Sequence, residues 1–322
     1  MDNQAVGMLV GLAVGDAVGV PFEFLTREEM RKNPAKEMVG YGTHHQPPGT
    51  WSDDSSMTFC LAEAMLSGYN LESVASNFIR WKKESYWTAR NEVFDIGITT
   101  AKSISRLETV LEEGESALAS LKYGAVESDN GNGSLMRILP LVFEIRGKEI
   151  DEQFRIVWEN SALTHRHVRA GMSCLVYLKV VEYLLDGKSP DEAYSAMRDN
   201  ILELWEAIDF ADSEREKFNR VIQSDIRKLA YEDLLSGGYV IESLEASLWC
   251  LLKSETYEEV VLKSVNLGHD TDTTAAISGG LAGLYFGVDN IPVFWRASLA
   301  RLEDIVALGE KISRKYAKEE LC

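Results

Sequence analysis

The sequence is short of positive charge. Against 51 aspartates and glutamates stand only 33 lysines and arginines, a formal net charge of −18 at pH 7 with histidine neutral. Nucleic acids, anionic membranes and polyphosphates are gripped by clustered cations, so the deficit argues against any such partner held by a basic patch. A phosphate-bearing substrate would need a local receiver instead, such as a metal ion or the N–H groups at a helix start. Cysteine is scarce too. Cys60, Cys174, Cys250 and Cys322 lie far apart without zinc-type spacing, and three of them fall in apolar helical runs. They read as buried thiols of a reducing cytoplasm, not as a disulfide framework.

The chain also lacks β-type alternation of any length, low-complexity tracts and a dividing linker. A length of 322 residues allows one large domain or two small ones, with 45% apolar and 26% charged residues as in ordinary soluble proteins. One all-α domain over residues 1–322, with a dozen or more helices, is the simplest expectation. The long apolar run at residues 5–22 has no basic flank in Met1–Gln4 and carries Asp16 in its middle. A cytoplasmic monomer without a membrane span is therefore expected.

What the chain does have is oxygen. His269-Asp270-Thr271-Asp272-Thr273-Thr274 packs two carboxylates and three hydroxyls into six residues, and opens an apolar segment of small side chains. Hard oxygens at a helix start suit a metal or a phosphate. Asp270 and Asp272, at i and i+2 in a non-helical lead-in, would point to one side, with Thr273 continuing into the first helical turn. An N-cap with spare acids on a solvated turn is the plainer alternative. Against it stands Ser52-Asp53-Asp54-Ser55-Ser56, more than 200 residues earlier and also leading into an apolar helix. Two such clusters suggest one composite site, in which a divalent cation relieves the repulsion between carboxylates.

In chain order, Gly7, Gly11, Gly15 and Gly19 recur every fourth residue and lay a smooth stripe for close helix contact. Asp16 within that run reads as a satisfied core polar group, and Glu23, beyond Pro21, as a carboxylate that a turn can aim. Residues 26–50 form a polar loop whose His44-His45 pair reads as solvated, with a metal-ligand role weighed beside it. Helices are expected over 70–84, 96–107, 115–121, 135–145 and 168–185, and again after Pro292. Asp95 is either a helix N-cap or a residue aimed into a cleft. The loop 129–134 offers backbone N–H groups suited to phosphate, and His165 either contacts a ligand or simply caps and packs. Residues 189–232 read as a charged, helical, peripheral layer without a site.

Taken together, Gly11–Gly19, Trp51–Ser55, Asp95-Ile96-Gly97, Gly131–Arg137, Thr164-His165 and the 269–274 stretch resemble the ADP-ribosylglycohydrolase family, in that family's order and over nearly the whole chain. The resemblance implies an all-α orthogonal bundle with two Mg²⁺ or Mn²⁺ ions in one cleft. It implies Ser52, Asp53, Asp54, Asp270, Asp272 and Thr273 as metal ligands, and catalytic roles for Glu23, Asp54 and Asp95. Asn132, Gly133, Ser134 and His165 match positions that hold the rest of an ADP-ribose. Ser52 replaces the family's usual threonine. His269 stands where many members have glycine and is expected to narrow the cleft mouth. The implied activity is metal-dependent removal of ADP-ribose from a protein or small molecule, with arginine as the favoured linkage. Serine, nucleobase or small-molecule linkages are alternatives, as is a non-catalytic, crystallin-like member of the same fold.

Overall fold

The glycine stripe of the first helix, Gln4–Gly19, meets the backbone of the Thr271–Phe286 helix directly. A Cβ on Gly11 would stand 2.5 Å from the Gly279 carbonyl oxygen, and one on Gly279 the same distance from the Gly11 oxygen. Hydrogen alone fits there. The two helices run antiparallel, with Gly7 beside Gly283 and Gly19 beside Asp272. The structure, a computed structural model, describes residues 4–319. Every residue from Ala5 to Gly19 is buried, as an all-round apolar sequence requires of a central helix. By length and composition Gln4–Phe22 could cross a membrane, yet 94% of its apolar window is buried inside the protein.

Around this pair pack the helices Asp53–Leu66, Tyr257–Val265, Val240–Leu252 and Leu302–Glu319, and Val168–Leu185 packs on the Thr271–Phe286 and Val240–Leu252 helices. The described residues form sixteen α-helical segments and no strand, only the isolated bridges Tyr41↔Gln46 and Gly131↔Tyr239. The all-α expectation holds, and Val168–Leu185 falls where its apolar run placed it. Cys60, Cys174 and Cys250 are buried free thiols, and Cys322 lies outside the described residues.

Three expectations need correction. Residues 135–145 do not form one helix. Turns lead into a 3₁₀ segment at Leu139–Leu141 and one α-turn at Val142–Ile145, because Pro140 lacks the N–H a continuous helix would use. The helix expected from Ile96 begins at Ile98 and runs to Val110. Beyond the helix Pro190–Ala207, the charged region breaks into short turns that bury Phe218, Val221, Ile222 and Ile226. That segment closes part of the core instead of forming a purely peripheral layer.

Candidate active site

Ser52 caps the Asp53–Leu66 helix in extended backbone, its Oγ accepting from the Asp54 N–H at 3.3 Å. Asp16, near the end of the first helix, accepts from Ser52 N (2.9 Å), Ser55 N (3.1 Å) and Ser55 Oγ (2.5 Å). It is the satisfied buried acid that its position suggested, and it fixes where the Ser52 cluster sits. The second cluster differs in detail from the expectation. Asp270 is the N-cap, whereas Asp272 already lies in the first turn of the Thr271 helix, since the chain turns helical one residue earlier than an i, i+2 extended pair requires.

The two clusters meet. Thr273 Oγ1 donates to Asp54 Oδ1 at 3.1 Å across 219 residues of sequence. Carboxylate oxygens of Asp16, Asp54 and Asp272 lie within 4.8 Å of one another, and so do those of Glu23, Asp270 and Asp272. The third such group among the described residues is Glu23, His44 and Asp95.

Among the described residues no lysine or arginine pairs with this cluster, and its acids are pushed upward. Burial, reinforced by neighbouring carboxylates, holds Asp53, Asp54 and Asp272 well above the ordinary aspartate range. Glu23 rises to about 8 through burial and the nearby Asp270. Asp95 rises to about 7 through burial and Glu23, with His44 opposing. Asp16 reaches about 6, its burial countered by the hydrogen bonds from Ser55 and Ser52. Asp270 is also raised by burial, while Asn132 and Thr273 pull it down. One oxygen, Asp272 Oδ2, is buried without any hydrogen-bond partner. An unpaired oxygen amid carboxylates and hydroxyls is the donor chemistry of a hard divalent cation, so these residues fit such an ion.

Beside the acids opens a cleft of about 440 Å³, reached by Glu23, Asp53, Asp95, Asp270 and Thr273, with Asn132, Gly133 and His165 also lining it. Asn132 Nδ2 donates to Asp270 Oδ2 (2.7 Å) and Ser243 Oγ (2.8 Å), tying the 129–134 loop to the Thr271 helix. Arg137 is fully buried and donates to the Asn160 carbonyl and side chain and to Thr164 Oγ1. That guanidinium anchors the turn carrying His165, while Ser103 Oγ holds the Thr164 carbonyl at 2.8 Å. Burial, and then Arg137, push His165 down to about 3, so it offers a neutral imidazole at physiological pH. A Cβ on Gly133 would stand 2.6 Å from that ring.

Two expected ligand contacts lie elsewhere. Ser134 is fully buried behind the cleft wall, where it accepts from Ser161 Oγ (2.8 Å) and meets Cys174 Sγ (3.6 Å), because the turn that aims Gly133 outward aims Ser134 inward. His269 does not narrow the cleft. Its left-handed backbone (φ 63°) sends the side chain to a separate hollow with Arg27, Glu232 and Glu242. Its own N–H and carbonyl pair with Leu25 O (2.6 Å) and Phe24 N (2.7 Å). Asp95 is not an N-cap, since Gly97 occupies that position; it faces the cleft at φ 54°. His44, read from sequence as solvated, bonds through Nε2 to Glu23 Oε2 and lies 3.9 Å from Asp95 Oδ1. The nearness of a histidine doublet to the Ser52 cluster was the available signal. Of the doublet, His45 alone is exposed, and His44 is half-buried.

The sequence and the fold are similar to those of known proteins. A family profile described as ADP-ribosylglycohydrolase matches residues 1–321. The ADP-ribosylarginine hydrolase Tri1 of Serratia proteamaculans (strain 568) is 31% identical over 321 residues, covering 99% of this chain and 81% of that protein. The ADP-ribosyl-[dinitrogen reductase] glycohydrolase of Rhodospirillum rubrum is 27% identical over 303 residues, covering 92% and 90%. A solved structure described as an ADP-ribosylglycohydrolase-related protein complex superposes with a TM-score of 0.78 at 28% identity, covering 98% of both chains.

Proposed function

The chain belongs to the ADP-ribosylglycohydrolase family, and from that premise we propose that it is a hydrolase releasing ADP-ribose from a modified target, with arginine in a protein as the preferred linkage. The observation that carries the reading is the convergence of buried, uncompensated carboxylates beside a cleft, with Asp272 Oδ2 left unpaired. Relatives named as acting on ADP-ribosylarginine and on dinitrogen reductase support the linkage.

Ser52, Asp53, Asp54, Asp270, Asp272 and Thr273 are the residues we assign to hold two divalent cations, Mg²⁺ or Mn²⁺. Bound there, the cations would supply positive charge to neutralise the carboxylates and grip vicinal ribose hydroxyls. Cleavage at the anomeric carbon passes through an oxocarbenium-like state, so a water must be delivered while the leaving group gains a proton. Glu23, in the cleft with a raised proton affinity, is the group we assign to exchange that proton. Asp54, held by Thr273, keeps the acidic floor rigid. Asp95 offers a carboxylate to a guanidinium, a charge-assisted contact that serine-linked ADP-ribose cannot make. Asn132, Gly133 and the neutral His165 line the part of the cleft assigned to the rest of the ADP-ribose.

The test is a panel of arginine-linked and serine-linked ADP-ribosyl substrates, assayed with Mg²⁺, with Mn²⁺ and with EDTA. Asp53→Ala and Asp272→Ala should abolish release of ADP-ribose while leaving the helical circular dichroism intact. An active Asp272→Ala enzyme would sink the assignment.

A further inference from the structure

The loop Tyr41–Gln46 closes on itself through the Tyr41 N–H to the Gln46 carbonyl at 2.5 Å. It also docks on the segment that carries Glu23. Thr43 N donates to Pro21 O at 3.1 Å, and Thr43 Oγ1 donates to Glu23 O at 2.7 Å. A Cβ on Gly42 would stand 2.0 Å from the Pro21 carbonyl oxygen, and Gly42 has φ 43°, so only glycine lets the two backbones approach so closely. The docking delivers His44 Nε2 to the Glu23 carboxyl, with Asp95 Oδ1 3.9 Å away. Rings clasp the imidazole, Phe24 at 6.0 Å and Phe94 at 5.3 Å between centroids.

The surrounding backbone is unusual. Phe24, His45 and Asp95, each next to or part of this trio, all have φ between 54° and 65°. Left-handed non-glycine residues are uncommon, and they persist where the surrounding structure holds them for a purpose. Here three of them frame one imidazole between two carboxylates.

We propose that His44 is a positioning residue for Glu23. With its proton on Nε2 the ring donates to Glu23 Oε2 and fixes the carboxyl rotamer over the cleft, beside the adjoining Asp95 carboxyl. This rests on the reading of Glu23 as the group that exchanges the leaving group's proton. The hydrogen bond acts on the geometry of proton transfer rather than on substrate binding. Loss of the ring should therefore lower kcat and spare KM.

The variants are His44→Ala and His44→Gln, the second keeping a donor near the position of Nε2, with Glu23→Gln alongside. For His44→Ala, kcat on arginine-linked ADP-ribose should fall about 10- to 100-fold, the range seen when an orienting partner is removed. KM, ADP-ribose affinity and the shift in melting temperature caused by Mg²⁺ should stay near those of the unaltered protein. His44→Gln should recover part of the loss, and added imidazole should partly restore His44→Ala. An unaltered kcat in His44→Ala beside an inactive Glu23→Gln would overturn the positioning role alone and leave the hydrolase reading standing. Parallel losses in kcat, KM and melting temperature, without imidazole rescue, would reduce His44 to packing. An active Glu23→Gln would remove the premise itself.

Discussion

A Cβ placed on Gly19 would stand 2.3 Å from the Cα of Asp272 and 2.5 Å from its nitrogen. The contact joins the end of the first helix to the first turn of the Thr271 helix, and Thr271 Oγ1 closes it by donating to the Gly19 carbonyl at 2.8 Å. It sets how deeply Asp272 sits relative to Asp16 and Asp54.

Gly19→Ala should therefore act on the site as well as on the fold. Forcing a methyl into a filled core typically destabilises by about 1–3 kcal/mol, and here the atoms that must yield belong to a proposed ligand's backbone. The expected outcome is a lower urea midpoint together with a weaker stabilisation by Mg²⁺. A variant that loses stability but keeps the full metal-induced shift would mean that Asp272 does not depend on this contact.

The acid cluster makes stability depend on pH in a definite direction. Asp16, Asp95 and Glu23 are raised to about 6, 7 and 8, chiefly by burial. The metal-free folded state therefore binds more protons than the unfolded chain between about pH 4, the ordinary carboxylate range, and pH 8. Its stability is greatest at the acid end of that window and declines as pH rises through the raised values. Metal-free protein should melt at progressively lower temperature from pH 5 to pH 8, and Mg²⁺ or Mn²⁺ should restore more at pH 8 than at pH 5, because the ions replace those protons. A metal-induced shift that is equal across the window would contradict the cluster's role.

Much of this was legible in the sequence, for reasons that differ from residue to residue. The helices at 4–19 and 168–185 are apolar on nearly every side, and only a buried position tolerates that. Their limits could be read from composition. The two oxygen clusters are local in sequence and each opens a helix, so their chemistry was readable even though their meeting through Thr273 and Asp54 was not. What escaped depends on backbone turns. His44 reaches Glu23 only because Gly42 lets its loop lie on Pro21, and His269 leaves the cleft only because its φ is positive. Ser134 was misplaced by one residue's rotation in a turn. Periodicity carries no information about such positions.

His165 gives a prediction of another kind. Its imidazole is buried, neutral and set by the Arg137-anchored turn. If it meets the pyrophosphate or an adjoining ribose, His165→Ala should weaken ADP-ribose binding by about 1–2 kcal/mol, the scale of a hydrogen bond to a charged group. Because the ring stays neutral above about pH 3, that loss should be the same at pH 5.5 and pH 8 when titrated calorimetrically. Unchanged affinity with a lowered melting temperature would return His165 to a packing role.

The linkage prediction turns on Asp95. It faces the cleft 3.9 Å from His44 Nε2 and is raised to about 7 by burial and by Glu23. A guanidinium beside it would favour the charged carboxylate and lower that value, whereas a serine oxygen would not. Asp95→Asn keeps the shape and removes the charge. It should reduce turnover of arginine-linked ADP-ribose more than it reduces the Mg²⁺-induced melting shift, since the proposed ligands are other residues. His269, standing in the neighbouring hollow, does not bear on this choice, so His269→Gly should leave the linkage preference unaltered. Equal or faster release from the serine-linked substrate, with no loss in Asp95→Asn, would show that the cleft is built for another leaving group even if it remains an ADP-ribosyl hydrolase.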